Sequence, residues 1–257
     1  MEFLVVPLVA LAASALTLLS GFGLGTLLLP AFALFFPVEV AVGMTAVVHL
    51  LNNLFKLGLL GRHADRRTAF RFGVPAIGAS FLGASALVWL SDREPLLRWT
   101  LLHRSCEIDP VGLTVGVLMV VFAAWEVVPF LERASLDPRL LPLGGLLSGF
   151  FGGLAGHQGA LRAAFLVRAG LGKETFVATG IWIACAVDVT RLAVYGGGAL
   201  AAGAGENVPL VATATAAAFA GAVAGARTLK KVTFAAVRTV VAILLFAVGV
   251  LLAAGIV

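Results

Sequence analysis

The chain has 257 residues, of which 61% are hydrophobic and 12% charged, and 18 Lys and Arg residues outnumber 13 Asp and Glu residues to give a formal net charge of +5. A soluble domain carries about 25% charged residues, so this composition excludes a soluble globular protein. The apolar runs are continuous and about twenty residues long, which predicts membrane-spanning helices. The basic residues fall between these runs, so the charge does not indicate a nucleic-acid partner.

Two apolar stretches, residues 3–36 and 140–170, are interrupted by glycine-rich breaks. A straight helix over 3–36 would be about 51 Å long, against a hydrocarbon core of about 30 Å. Each stretch is therefore either a hairpin or a broken span. The remaining predicted spans are 38–60, 72–91, 110–131, 172–196, 208–226 and 232–256.

The distribution of basic residues predicts the orientation of these segments. Loop 61–71 carries four arginines and one aspartate, segment 227–238 carries four basic residues and no acid, and loop 197–207 carries no Lys or Arg. The first two therefore face the cytoplasm and the third faces outward. Alternation then requires that both interrupted stretches are hairpins, beginning and ending on one side. We expect a multi-pass protein of the inner (plasma) membrane with both termini periplasmic or extracellular.

An internal repeat supports this arrangement. The sequence LLSGF occurs at residues 18–22 and again at 146–150, and each copy opens a glycine-rich break. We predict a first repeat over 1–131, a linker over 132–138 and a second repeat over 139–257. The predicted fold is an all-α polytopic membrane protein with two inverted repeats, each a broken-helix hairpin followed by three transmembrane helices. Inverted repeats with matching interrupted segments are typical of secondary transporters.

Polar residues occur inside two of the predicted spans. Span 38–60 carries four that share one helical face at i, i+3, i+4 and i+7: His49, Asn52, Asn53 and Lys56. Span 172–196 carries Asp188 and Arg191, one turn apart, and these match two of the first set, Asn53 and Lys56, at a constant offset of 135 residues. Charges in a bilayer are expensive, so we expect these side chains to face the protein interior.

The second break reads Gly156-His157-Gln158-Gly159 and leads to Arg162. The glycines free the backbone, and a half-helix that starts near His157 would present free N–H groups and a positive dipole end to an anion. Gln158 and Arg162 are spaced i, i+4, and the guanidinium fork suits carboxylate or sulfur oxyanions. The first break offers a similar but uncharged set of backbone amides at Gly21, Gly23 and Gly25.

Several assignments stay open from the residues alone. Asp188 and Arg191 are either a structural ion pair or part of a site, and Lys56 either joins the site or snorkels to the interface. Asn52 and Asn53 can act as links between helices. His49 can be a core histidine or, like His157 and Asp188, a carrier of a coupling proton.

The glycine break Ser20–Gly25 with Pro30, the asparagine-bearing second span and the run GHQGALR at 156–162 resemble the TauE/SafE sulfite-exporter family of bacterial transporters. The resemblance covers the whole chain. The first repeat differs from the family's usual triple-glycine turn, because Phe22 and Leu24 intervene. The resemblance implies transport of sulfur-containing anions such as sulfite and organosulfonates.

These observations together predict a secondary transporter that moves a small anion, with sulfite or an organosulfonate as the expected class, by alternating access and with proton coupling as an option. Arg162 and the tip amides would bind the oxyanion, and Arg191 or Lys56 would add positive potential. The alternatives are a passive anion channel or a transporter of another organic anion such as a carboxylate. We expect no enzymatic activity, no cofactor and no metal site. The expected partners are the small anionic substrate and the lipid bilayer, and a homodimer is one assembly left open.

Overall fold

The computed structural model of the protein describes residues 1–20, 24–101, 104–127, 137–196, 205–228 and 234–257. These ranges contain ten α-helices: α1 Glu2–Ser20, α2 Leu24–Ala33, α3 Val38–Leu60, α4 Arg66–Ser91, α5 Pro110–Val127, α6 Leu141–Ala155, α7 Gly159–Leu166, α8 Lys173–Tyr195, α9 Val208–Thr228 and α10 Phe234–Ala253. Short 3₁₀ turns cover Gly61–His63, Pro138–Leu140 and Val167–Ala169. Two strands, β1 Leu97–Leu101 and β2 Arg104–Ile108, lie between α4 and α5.

Four helical segments of the described chain are long and apolar enough to cross a membrane: Val38–His63, Arg66–Ser91, Lys173–Tyr195 and Val208–Gly225. Shorter apolar helices accompany them at Glu2–Leu16, Leu24–Ala33, Pro110–Trp125 and Thr239–Ala253. The predicted class, an all-α polytopic membrane protein, is confirmed.

The second interrupted stretch is a hairpin. Helix α6 ends at Gly156, whose backbone adopts φ 76°, a left-handed conformation that glycine reaches without a steric penalty. Helix α7 then returns along α6, because the ring of Phe165 lies directly against Gly144 near the start of α6. The first stretch is built from α1 and α2, which pack against each other. Its break, which includes Gly21 and Gly23, lies outside the described residues.

Matching helices of the two halves run in opposite directions. Helices α3 and α8 are antiparallel, since His49 contacts Asp188 while Gly61, further along α3, accepts a hydrogen bond from Trp182, earlier in α8. Helices α5 and α10 are also antiparallel, because residues later in α5 contact residues earlier in α10. The contact of α1 with α9 corresponds to the contact of α6 with α4. These directions are those of an inverted repeat. The predicted linker lies mostly outside the described residues, so the repeat boundaries stay a prediction.

Glycines allow α6 to lie directly on the backbone of α4. Added Cβ atoms at three glycines, one turn apart, would come closer than 3.0 Å to carbonyl oxygens of α4: Gly145 to Phe72, Gly149 to Ala76 and Gly153 to Ser80. The two numbering series rise together, so α4 and α6 are parallel. Helix α9 approaches α1 in the same way, at Gly221 and Gly225. Small residues at such contacts let membrane helices approach closely.

The region between α4 and α5, expected to be a polar loop, contains a β-hairpin. Its strands are antiparallel, with Leu97 opposite Ile108. The Trp99 indole nitrogen donates to the Ala254 carbonyl at 2.9 Å, which ties the hairpin to the end of α10. A search for apolar runs does not reveal so short a strand pair, although the alternation of apolar and polar residues in Leu97–Leu101 is itself a strand signal.

The apolar core forms two clusters. The larger one is built mainly from α1, α2, α3, α5, α9 and α10 and includes Phe32 and Met44. The smaller one joins α4, α6, α7 and α8 around Phe72, Phe165 and Ile183. The buried polar side chains of α3 and α8 lie where these two groups of helices meet.

Candidate functional site

Asp188 is the centre of a buried hydrogen-bond network. Its side chain has no exposed surface, and its carboxylate faces donors from three elements. The contacts are His49 Nδ1 at 2.6 Å, Gln158 Nε2 at 3.2 Å, Arg191 Nε at 3.0 Å and Asn53 Nδ2 at 3.5 Å. A carboxylate held by several donors, one of them a guanidinium, is stabilised in its ionised form. Asp188 therefore supplies the negative charge around which α3, α8 and the second hairpin assemble.

His49 has a tautomer consistent with this network. Because Asp188 accepts at 2.6 Å, the proton between the two belongs on His49 Nδ1. The Asn53 amide nitrogen lies 3.1 Å from Nδ1 and 3.3 Å from Nε2, and of the two only the deprotonated Nε2 can accept from it. This assignment follows from the hydrogen-bond pattern. His49 thus bridges the carboxylate and the neighbouring amide of its own helix.

Only two of the three guanidinium nitrogens of Arg191 contact Asp188. Nε and Nη2 lie 3.0 and 2.9 Å from Asp188 Oδ1. Nη1 points toward the second hairpin tip, where a Cβ added to Gly156 would lie 2.8 Å from it. Nη1 makes no hydrogen bond although it is fully buried. The pair is therefore an ion pair that leaves Nη1 outside the carboxylate, on the side of the second hairpin tip.

Arg162 reaches the network through an amide. Its Nη1 donates to Gln158 Oε1 at 3.1 Å, and Gln158 in turn donates to Asp188. The Ser148 hydroxyl donates to the Gln158 carbonyl at 3.0 Å and fixes the turn. Within the described ranges no carboxylate lies within 4.0 Å of Arg162, which is 8% exposed. Asp188 is therefore paired with Arg191, whereas Arg162 reaches the same carboxylate only through Gln158.

The tips of the two hairpins meet. Gly25, at the start of α2, faces the Gly156 carbonyl, and a Cβ at Gly25 would lie 3.5 Å from that oxygen. The same Cβ would lie 3.6 Å from Thr45 Cγ2 and 3.9 Å from His49 Cδ2. These are ordinary contact distances, so the start of α2, α3 and the second hairpin tip pack directly together at this point.

Unpartnered polar atoms concentrate at this meeting point. Among the described residues, buried side-chain atoms without a well-formed hydrogen bond are Thr45 Oγ1, both ring nitrogens of His157 and the terminal nitrogens of Arg191, with the Ala155 backbone beside the His157 ring and the Tyr195 hydroxyl beside the guanidinium. Arg191 Nη2 is satisfied by its ion pair. The His157 ring stacks on Phe122 with centroids 5.3 Å apart. Buried polar groups are normally paired, so a cluster of unpaired ones is typical of a ligand site.

Asn52 and Lys56 form a separate cluster. With its amide oriented to satisfy both ends, Asn52 accepts from Lys56 Nζ at 3.0 Å and donates to the Ala218 carbonyl at 3.3 Å. The Ser14 hydroxyl lies 3.0 Å from the same amide. Lys56 is 4% exposed, so the snorkelling alternative does not describe it. This cluster joins α3 to α1 and α9.

The predicted polar face of α3 is therefore divided. Residues advance about 100° each around a helix, so positions 49 and 53 point about 60° away from positions 52 and 56. That angle directs His49 and Asn53 to α8, but Asn52 and Lys56 to α1 and α9. The four side chains lie on one side of α3, as the spacing predicts, but that side faces α8 in one direction and α1 and α9 in the other.

The buried charges of the described chain do not balance. Three cationic side chains, Lys56, Arg162 and Arg191, and one carboxylate, Asp188, are at most 8% exposed. Gly159, Gly156, His157 and Gln158 are buried among them. No three of the His, Cys, Asp and Glu side chains in the described ranges group as metal ligands. The interior thus carries an excess of positive charge suited to an anion.

Sequence reasoning missed several polar residues of the site. Thr45 is the most informative, and its position four residues before His49 on α3 was the available signal. Ser148 and Tyr195 were also missed, and the Tyr195 hydroxyl donates to the Gly153 carbonyl. Hydroxyl residues barely change the hydropathy of a span and therefore escape a search for charges.

Comparison with known proteins agrees with the geometry. The sequence model described as sulfite exporter TauE/SafE matches residues 6–252 of the chain. No curated protein sequence matches significantly. The match includes both hairpins, all ten helices up to near the end of α10 and every polar residue of the site. The chain therefore belongs to the TauE/SafE sulfite-exporter family, a family of membrane transporters for sulfite-type anions.

Proposed function

We propose that the protein is a secondary transporter that moves a small sulfur oxyanion, sulfite or an organosulfonate, across the inner membrane by alternating access. The observation that carries the proposal is the group of unpartnered buried donors at the hairpin tips, set in an interior with excess positive charge. An anion bound there would satisfy these donors and offset that charge. Interactions of this type are strong because the surroundings exclude water.

The directions of the donors favour an anion with three oxygens. Arg191 approaches from α8, Thr45 from α3, and His157 from the break between α6 and α7. Three donors from three elements match the pyramidal oxygens of a sulfite or sulfonate group. A carboxylate can also accept from three donors, because its two oxygens carry four lone pairs, but these lone pairs lie in one plane and suit donors from three elements less well.

Proton coupling is assigned to the histidines. His157 has two ring nitrogens without a good hydrogen bond, so a proton taken up there can be shared with the anion. His49 links the same region to Asp188. Histidine changes charge near neutral pH, which suits a coupling proton. In this arrangement the substrate and the proton stabilise each other's binding.

The contact between the tips favours a transporter over an open channel. Gly25 and the Gly156 carbonyl are close enough to leave little space between the hairpins. A transporter closes such a contact on one side of the substrate and opens it on the other. Linear current without pH dependence in liposomes would instead support the channel.

The binding test uses the purified protein and a panel of anions: sulfite, sulfate, sulfoacetate, taurine and acetate. A bound anion raises the melting temperature by mass action, with about 2.7 kcal/mol of stabilisation at 100 times its Kd. We expect sulfite or sulfoacetate to stabilise most. Greater stabilisation by acetate would replace the sulfur assignment by a carboxylate one.

The site is tested by a matched pair of threonine variants. Thr45→Val removes an unpartnered hydroxyl, so we expect unchanged or higher stability but weaker anion binding and slower flux in proteoliposomes. Thr215→Val is the control, because the buried Thr215 hydroxyl bonds the Val211 carbonyl of its own helix. Equal flux in both variants and the wild type would remove the tips as the binding site.

We also propose that both termini face outward. Helices α4 and α6 are parallel and adjacent, so α6 begins on the same side as α4. With Cys106 and Cys185 replaced, cysteines introduced at Arg67 and Gly172 should react with a membrane-impermeant reagent only from the cytoplasmic side. Labelling of the two positions from opposite sides would contradict this orientation.

A further inference from the structure

A groove of about 760 Å³ runs along the outside of the helices, away from the hairpin tips. Its walls are the end of α3, the first half of α4 and α8. The lining residues that carry the argument are Arg62, Arg66, Phe70, Val74, Ile77 and Trp182. The transport site described above uses none of them.

The deeper part of the groove is apolar and uncovered. Phe70 is 71% exposed, and Val74, Ile77 and Trp182 are 41–49% exposed. From Arg66 to Ile77 the α4 stripe extends about 16 Å at the helical rise. Helices α3, α4 and α8 are all long enough to span a bilayer, so this surface lies in the membrane. Its natural contact is a hydrocarbon chain.

The mouth of the groove is basic. Arg62 and Arg66 are exposed and line it, and neither makes an ion pair within the described residues. Two acids lie near the mouth: Glu174, which is 4.0 Å from the His63 ring, and Asp65. Asp65 caps α4 by accepting from the Thr68 side chain and from the Thr68 amide, the latter at 2.7 Å, and these bonds lower the pKa of its carboxyl. Its charge is therefore directed into the helix end, and the arginines are available to an anion.

We propose that this groove binds an anionic diacyl phospholipid, with the phosphate on Arg62 and Arg66 and an acyl chain along Phe70, Val74 and Ile77. Charge complementarity selects an anionic lipid over a zwitterionic one. The Trp182 indole, which donates to the Gly61 carbonyl at 3.3 Å, lies at the level of the headgroup, where tryptophan is commonly found. The site joins α3, α4 and α8 and is independent of the transported anion.

The test is a lipid titration of the full-length purified protein, followed by native mass spectrometry. Phosphatidylglycerol and phosphatidylcholine with identical acyl chains are compared. An arginine near an anionic lipid contributes about fivefold in affinity, so the double variant Arg62→Gln, Arg66→Gln should bind phosphatidylglycerol about 25-fold more weakly. Arg67→Gln with Arg71→Gln is the matched control, since these exposed arginines lie outside the groove and should change binding little.

Two further arms separate the headgroup from the chain. Gly73→Leu fills the floor of the groove, where an added Cβ meets only Ile183 at 3.9 Å, and should weaken binding of both lipids. Glycerol phosphate without acyl chains should not compete with phosphatidylglycerol at equal concentration. Equal binding of the two lipids, equal losses in both arginine double variants, or full competition by glycerol phosphate would each overturn the proposal.

Discussion

Helices α3 and α8 occupy matching positions in the two halves, pack antiparallel and carry different chemistry. Position 53 of α3 is an asparagine, whereas the matching position 188 of α8 is an aspartate. Asn53 points to Asp188, and Lys56 bonds the neighbouring Asn52 amide, whereas Arg191 bonds the carboxylate of Asp188. The negative charge of the centre comes from α8 alone, and α3 supplies donors to it.

This difference shows that the repeat conserves geometry without conserving charge. The same helix spacing places a cation one turn after a polar residue in each half. The Asp188–Arg191 pair is ionic and lies at the hairpin tips. Lys56 bonds the uncharged Asn52 amide instead, in the cluster that joins α3 to α1 and α9. An asymmetric pair of sites leaves a net positive interior, which two identical ionic pairs would not. The predictions below test this division of roles.

The largest effect is expected from Asp188→Asn. The change removes the carboxylate that compensates Arg191 and receives His49, so we expect a loss of roughly 3–5 kcal/mol in the free energy of unfolding. The measurement is thermal melting of the purified protein. A second variant, Asp188→Asn with Asn53→Asp, moves the carboxylate to the matching position on α3. Because Asn53 already lies 3.5 Å from Asp188, we expect partial recovery.

Comparison of the single and double variants separates the effect of the carboxylate's position from the effect of its charge. Recovery in the double variant would show that the centre needs a carboxylate from either helix. A double variant as unstable as Asp188→Asn alone would contradict the equivalence of the two positions and tie the ionic centre to α8.

Much of this arrangement could be predicted from the sequence. Glycine content and length required a break in each long stretch, the basic residues of the loops required hairpins, and the constant offset between Asn53 and Asp188 identified the helices that match in the two repeats. Helical periodicity gives the angle of a side chain but not the neighbour at that angle, so the separation of Asn52 from Asn53 was not predicted. The contribution of Thr45 was missed because its hydroxyl matters only when buried without a partner.

The two close helix contacts, α6 on α4 and α9 on α1, are tested by Gly149→Ala and Gly221→Ala. Each Cβ would collide with a carbonyl oxygen, of Ala76 in one pair and of Leu11 in the other. We expect each variant to lose about 1–3 kcal/mol of stability through overpacking. Gly58→Ala is the control, because nothing lies within 4 Å of its added Cβ and alanine favours a helix. If Gly149→Ala were tolerated while Gly221→Ala were damaging, the α6–α4 and α9–α1 contacts would not be equally close.

Arg162 tests whether the second hairpin contributes charge to the substrate. Arg162→Lys keeps the cation and loses the fork, so anion binding should weaken by about 1–3 kcal/mol, whereas Arg162→Ala should abolish flux in a folded protein. Flux in proteoliposomes and melting are measured on the same preparations. Wild-type flux in a well-folded Arg162→Ala variant would leave Arg191 as the anion's guanidinium.

The smallest effect on stability is expected from Lys56→Met. Lys56 has no buried carboxylate partner among the described residues, and Asn52 keeps its contacts with Ser14 and Ala218. Removal of a buried cation without a counter-charge should change unfolding by about 1 kcal/mol or less. Arg191→Met is the matched variant and should be far more damaging, because it leaves Asp188 uncompensated. Similar melting losses in the two variants would contradict the division of roles between α3 and α8.

The β-hairpin between α4 and α5 has a mechanical consequence. Trp99 holds the carbonyl of Ala254, and Gly255 lies against the Glu107 backbone, so the last helix of the second half is fastened to the first half at this end. The halves also pack on each other along α4 with α6 and along α1 with α9. The Trp99 contact adds a polar fixed point to these apolar faces, so a movement of α10 away from the first half would have to break it.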